Sequence, residues 1–257
     1  MIVTTRPALK VLLENLIDYA GLFPPAKCPM ERALSSFNSY ENSEYSWMLR
    51  WFVVKDDQLE QVPSQYDGKL SVLSGKDETR AAAIESQGVV KSDKPVYWEV
   101  SVDRIDTLKI VKESGNYAKI RMGGITADAF PESTSVAEFI KECARLKLPF
   151  KATAGLHHPI RGQYRLTYED NAPVATMYGF LNVLIASAFA WHGIDKLEEV
   201  LIETDPQSFV FEETKAGWKK YTLTVEQLKE TRENFFHSIG SCSFEEPVDD
   251  LKALNLL

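Results

Sequence analysis

Cysteine is scarce: Cys28, Cys143 and Cys242 are the three in a chain of 257 residues, and none forms a CxxC pair. So sparse and odd a set argues against a disulfide framework and reads as reduced thiols in a cytoplasmic protein. Histidine is also rare, with four residues and neither HExxH nor HxH spacing. There is no GxGxxG or Walker sequence, which counts against the doubly wound nucleotide-binding sheet that is the nearest alternative fold. Long hydrophobic runs are missing too. The longest, Gly179 to Ala190, contains Asn182 and Ser187 and is too short to span a bilayer, so a buried helix and no membrane partner are expected. Acidic Glu14 and Asp18 interrupt the apolar run near the N-terminus, against a secretory signal. Positive charge is in deficit, with 29 Lys and Arg against 37 Asp and Glu and a net charge of −8. That argues against nucleic acid as a partner while leaving room for a locally basic pocket.

No linker, repeat or low-complexity segment divides residues 1–257, so one domain is expected. What recurs is an alternation of strand-like and helix-like pieces. Strands are expected at Leu16 to Phe23, Trp47 to Val54, Leu70 to Ser74, Val96 to Val102, Tyr117 to Met122, Phe150 to Ala154, Ser208 to Phe211 and Phe236 to Phe244. Helices are expected at Pro29 to Tyr40, near Asp57 to Glu60, at Asp77 to Ser86, Ile105 to Glu113, Ser135 to Leu146, Val174 to Ala190, Val225 to Phe235 and Pro247 to Leu256. Ser135 followed by Glu138 reads as a capping box. Eight strand–helix units in about 250 residues predict an α/β fold, the (β/α)₈ or TIM barrel.

The run Pro149-Phe150-Lys151-Ala152-Thr153-Ala154-Gly155-Leu156-His157-His158-Pro159 sets a lysine inside a strand. Alternation puts Lys151 and Thr153 on one face and Phe150 and Ala152 on the other. A cation there is costly unless its face lines a polar cavity. Counted along the expected strands, Glu99 falls on the fourth, Lys119 and Arg121 on the fifth and Lys151 on the sixth. Their apolar neighbours would face the helices, so these four charged groups would converge inside the barrel. An ordinary reading, a structural salt bridge such as Glu99 to Arg121, stands beside the catalytic one.

The catalytic reading makes Lys151 a nucleophilic amine, activated by desolvation and by the cations Lys119 and Arg121. Glu99 would shuttle protons, and Arg121 would hold a carboxylate or phosphate. Lys151-Ala152-Thr153-Ala154-Gly155 resembles the lysine strand of class I aldolases of the deoxyribose-phosphate aldolase type. There a Lys-Thr-x-Thr-Gly-like run on the sixth barrel strand supplies the Schiff-base lysine. The resemblance spans about five residues and implies Lys151 as the Schiff-base residue of a carbon–carbon lyase. The family's second lysine, on the following strand in a Lys-Pro-x-Gly-Gly-like run, has no match, since Lys215 sits in a different context.

Other groups complete the candidate site. Thr153, His157, His158 and Asp18 would contact substrate, and Ser241 and Ser243 with the following helix would suit phosphate, although Glu245 and Glu246 oppose an anion. Cys242 reads as a buried structural thiol. The run Asp18-Tyr19-Ala20-Gly21-Leu22-Phe23-Pro24-Pro25-Ala26 either walls a pocket, with Asp18 at its base, or seals the barrel end or a subunit contact. Gly123-Gly124 is either a plain turn or a close approach to ligand. Asp18, Glu99, His157 and His158 could alternatively hold a divalent metal for a lyase or hydrolase, although adjacent histidines point to opposite sides of an extended chain. With no metal, the expected partner is a small anionic carbonyl or phosphorylated metabolite and no cofactor is needed. A third reading is an inert barrel that binds a metabolite or a protein. The apolar 174–190 segment is consistent with burial against a second subunit, hence with a homo-oligomer.

Overall fold

The computed structural model describes residues 5–257. The chain enters through α1 (Pro7–Leu13), with Pro7 in its first turn, where a missing N–H costs nothing. β1 (Ile17–Tyr19) follows, then α2 (Met30–Glu41), β2 (Leu49–Lys55), β3 (Leu70–Leu73), β4 (Ala81–Ser86), β5 (Val96–Glu99), α3 (Thr107–Glu113), β6 (Tyr117–Arg121), α4 (Ser133–Arg145) and β7 (Phe150–Thr153). A long excursion comes next: an antiparallel hairpin of β8 (Gly162–Arg165) and β9 (Val174–Met177), α5 (Phe180–Trp191), and α6 (Leu197–Ile202). It ends in an antiparallel sheet of β10 (Phe209–Phe211), β11 (Lys215–Trp218) and β12 (Tyr221–Thr224), followed by α7 (Val225–Asn234). β13 (Phe236–Ser241) then closes the barrel between β7 and β1, and α8 (Glu245–Ala253) ends the fold.

The barrel runs β1-β2-β3-β4-β5-β6-β7-β13 and back to β1, with parallel pairing throughout. This is the expected TIM barrel. Apolar side chains face the helices: Ile120, Ala152 and Ile239 pack outward against helices such as α4, whose Val136, Phe139, Ile140 and Cys143 form one buried stripe. Phe150 cements the closure, with its ring centroid 5.1 Å from Phe235 and 5.0 Å from Phe236 in edge-on geometry.

Several expected elements are corrected. Residues 77–86 are not a helix: Ala81–Ser86 is β4, paired with β3 and β5. Alanine, arginine and glutamate favour helix locally, but two flanking strands with open edges decide the matter. The count of eight survives because a second error offsets the first. Ser208 to Phe211 includes a strand, β10, but it belongs to the outlying sheet and not to the barrel. Glu99 therefore lies on the fifth barrel strand, Lys119 and Arg121 on the sixth and Lys151 on the seventh.

The 174–190 segment divides into β9 and α5 at Tyr178-Gly179, where a Cβ on Gly179 would lie 2.4 Å from the carbonyl oxygen of Pro159. Within α5, Phe180 to Phe189 are all buried, against α4, α6, α7 and β13. The chain's own elements cover that apolar surface, so it no longer argues for a second subunit. The capping box at Ser135 is absent because α4 begins two residues earlier, after Glu132. Among the described residues, no helix is long and apolar enough to cross a membrane.

Candidate functional site

The barrel interior holds a ladder of alternating charges. Lys151 Nζ lies 2.5 Å from Asp18 Oδ2 and 2.7 Å from Glu85 Oε1. The other Glu85 oxygen is 2.8 Å from Lys119 Nζ, which is 2.7 Å from Glu99 Oε2. Glu99 Oε1 in turn meets Arg121 Nε at 3.1 Å. Parallel register explains the convergence: Glu99 is level with Lys119, and Lys119 with Lys151, on three consecutive strands. Hydroxyls complete the inner end, with Ser71 donating to Glu85 at 2.8 Å and Ser238 to Asp18 at 2.7 Å. The ladder climbs from full burial at Lys151 and Asp18 to Arg121, whose side chain is 54% exposed at the rim.

Burial works against both charges of each inner pair, and pairing reverses it. Desolvation alone would raise the Glu85 carboxyl, but Lys119 and Lys151 hold it well below the usual range. Glu99 is held down against burial by Lys119 and then Arg121. For Lys151, desolvation would strip the proton, yet Asp18 and Glu85 raise its pKa. That corrects the expected activation of Lys151 by neighbouring cations: its nearest charged groups are anions. Its side chain is 0% exposed and lies beneath the cavity, which it does not line.

That cavity, of about 280 Å³, opens at the C-terminal mouth of the barrel, where barrels of this class place their reactive groups. Glu85, Lys119, Arg121, Thr153, His157 and Cys242 line it. Phe23 and Pro24 form one wall, so the proline-rich run after β1 is a pocket wall. Lys119 thus reaches the cavity while Lys151 does not.

Gly123 owes its identity to packing, since a Cβ there would fall 2.4 Å from the Phe130 ring. Ala154 holds a left-handed φ of 61°, next to Gly155 at 68°, and this turn carries the chain from β7 to the histidines.

The two histidines part company, as their adjacency requires. His157 is buried and lines the cavity; its Nδ1 is 3.0 Å from Ser241 Oγ. Ser241 donates its own proton to the Ser243 carbonyl at 2.7 Å, so it accepts from His157 Nδ1–H. The tautomer assigned this way leaves Nε2 unprotonated. Burial, and then His158, press the His157 imidazole down to about 4, so it is neutral at pH 7. His158 instead meets Asp250 Oδ2 at 2.6 Å and stacks on Tyr164, with ring centroids 3.5 Å apart. It lines an adjoining lobe of about 240 Å³ beneath the β8–β9 hairpin.

Not every expected site residue reaches the cavity. Asp18 is fully buried in the ladder. Ser241 and Ser243 build the turn into α8, where Ser243 Oγ accepts from the Glu246 N–H at 3.1 Å. Neither serine lines the cavity. The four proposed metal ligands do not assemble: Asp18 and Glu99 are bound to lysines, and His157 and His158 face different partners. Among the described residues, no group of three or more His, Cys, Asp or Glu side chains is placed to hold a metal. Cys242 Sγ lies 3.9 Å from His157 Nδ1, and burial first of all pushes the thiol up to about 11, so it is a neutral S–H.

Glu85 is the principal residue missed from sequence. Its signal was an acid in Ala-Ala-Ala-Ile-Glu-Ser, between Gly75 and Gly88. Taken as strand, that segment aims Glu85 and Ala83 together at the barrel axis. Compared with known proteins, the chain matches no protein-family model, no curated protein and no solved structure, so what the site does rests on its geometry.

Proposed function

We propose that the protein is an enzyme that cleaves or forms a carbon–carbon bond beside the carbonyl of a small anionic compound. Lys119, rather than Lys151, meets the carbonyl. The observation that carries this reading is that Lys119 lines the C-terminal cavity together with His157, a neutral imidazole with an unprotonated Nε2. Arg121 spends Nε and Nη2 on Glu99, which leaves Nη1 at the rim for a substrate carboxylate or phosphate.

In the cleavage direction, His157 Nε2 takes the proton of a β-hydroxyl group. The carbon–carbon bond breaks, and its electron pair passes to the carbonyl, giving an enolate. The Lys119 ammonium donates to the enolate oxygen as charge develops there. The His157 imidazolium then returns the proton to the enolate carbon, which leaves two carbonyl products. Lys151 holds Glu85 and Asp18 in place below.

A Schiff base on Lys119 is the second reading. It is favoured by the register of Lys119 with Lys151 on the sixth and seventh barrel strands, which parallels the lysine pair of the deoxyribose-phosphate aldolase-like family. Glu85 and Glu99 would then receive the amine's proton. The cytoplasmic setting suggested by three free thiols belongs to the same proposal.

Borohydride reduction in the presence of small aldehydes and 2-oxo acids, followed by peptide mass mapping, separates the two. The acid–base reading expects turnover without a trapped adduct. An adduct on Lys119 establishes the second reading, and one on Lys151 overturns both.

A further inference from the structure

The opposite, N-terminal mouth of the barrel holds a separate cavity of about 770 Å³, lined in part by Arg50, Trp51, Tyr97, Lys229, Arg232 and His237. Arg50, on β2, lies over the Trp51 ring with its guanidinium carbon 3.7 Å from the ring centroid. Its Nη1 is buried and has no protein hydrogen-bond partner. Arg232, on α7, uses Nη1 on the carbonyls of Phe236 and His237 and Nη2 on those of Glu14 and Asn15. Its Nε is likewise buried and without a protein partner. His237 Nδ1 is 2.8 Å from the Tyr97 hydroxyl. Burial, then Arg50 and Arg232, push the His237 imidazole down to about 3, so the guanidinium groups carry the local charge.

The carboxylates nearby do not neutralise them. Glu14 and Glu233 also line the cavity, and Glu233 sits 3.7 Å from Lys229. Among the described residues, no carboxylate oxygen lies within 4.0 Å of Arg50 or Arg232. Asp18, an interior acid whose charge is felt at Arg232, is bound through Oδ2 to Lys151 and Ser238. Buried guanidinium N–H groups left without an acceptor are costly, and carboxylate and phosphate are the acceptors that fit them best.

We infer that the N-terminal mouth is a binding site for a small oxyanion, a carboxylate or phosphate compound, held by Arg50 and Arg232 against the Trp51, Tyr97 and Tyr117 walls. The site lies at the end of the barrel away from Lys119. Its occupant takes no part in the chemistry proposed there, and binding to the folded state raises thermal stability.

Calorimetric titration of the full chain with inorganic phosphate and with citrate at low salt tests this. The wild type binds at least one of them, and which one identifies the preferred oxyanion. Arg50→Met weakens that binding by about tenfold or more, as expected for losing a charged hydrogen-bond donor. Arg50→Lys, which keeps the charge but not the planar fork, weakens it as well and serves if the Met variant does not fold. Arg145→Met, which removes an exposed cation on α4 that does not line this cavity, leaves the binding unchanged. The inference is overturned if the wild type binds neither anion, if both Arg50 variants bind as the wild type does, or if Arg145→Met weakens binding as much as Arg50→Met does.

Discussion

The ammonium of Lys151 sits 2.7 Å from Oε1 of Glu85, and both side chains are buried in the barrel. Through Glu85 the charge of Lys151 reaches Lys119 at the cavity floor. In the proposed reading, Lys151 is therefore a structural cation supporting the reactive Lys119. Lys151→Met leaves Asp18 and Glu85 buried without their counter-charge. A loss of about 3–5 kcal/mol of folding stability is expected, read as a lower urea midpoint. A variant as stable as the wild type would show that the ladder is not held this way.

Acid weakens the fold in two stages. The folded His157 pKa is depressed from 6.5 to about 4, so its contribution is present above 6.5 and is lost as pH falls toward 4. Glu85 and Glu99 are also depressed, so theirs is present above the usual carboxylate range and is lost as pH falls further, through their folded values. Lys151 is raised, so its share is full below 10.5 and is lost only as pH climbs through its higher folded value. The buried Cys242 thiol, raised from 9.0 to about 11, contributes fully only below 9, so the thermal midpoint, followed by circular dichroism, should be highest between about pH 7 and 9 and fall on both sides.

In the proposed reading, Arg121 binds substrate rather than reacts with it. Its exposed guanidinium keeps one free arm at the rim, so Arg121→Met should raise KM by roughly tenfold with a smaller change in kcat. Steady-state kinetics on an anionic substrate, compared with its uncharged analogue, make the distinction. The analogue should lose little on the same substitution.

Removing the His157 base should act on kcat. His157→Asn keeps a donor for Ser241 and removes Nε2 as a proton acceptor, and about a 10²–10⁴-fold loss in kcat is expected. The acid limb of kcat/KM in the wild type should fall near pH 4 rather than 6.5, following the depressed imidazole. A limb at 6.5 would mean that the imidazole is not depressed or that another group takes the proton.

The barrel was legible in sequence because strands such as Tyr117–Arg121 and Phe150–Thr153 alternate charged and apolar residues cleanly. Lys119, Arg121, Lys151 and Glu99 do converge, since parallel register needs only the alternation to be read correctly. Glu85 was lost because Ala81–Ser86 carries helix-forming residues, and only its neighbours on both edges make it a strand. The order of the two lysines in depth was also hidden. Lys119 and Lys151 occupy equivalent register positions, yet Asp18 and Ser238 draw Lys151 down while Glu99 draws Lys119 toward the mouth. Such differences come from partners far apart in the chain, which local pattern does not encode.

The most direct test of the central claim is proton exchange at carbon. Small 2-oxo acids would be incubated with the protein in deuterium oxide, and deuterium entry next to the carbonyl followed by proton NMR. With Lys119 stabilising the enolate and His157 moving the proton, the wild type should accelerate exchange with at least one of these acids. Lys119→Met and His157→Asn should each reduce it toward the buffer rate. Exchange no faster than buffer throughout, or exchange undiminished in both variants, would contradict the account.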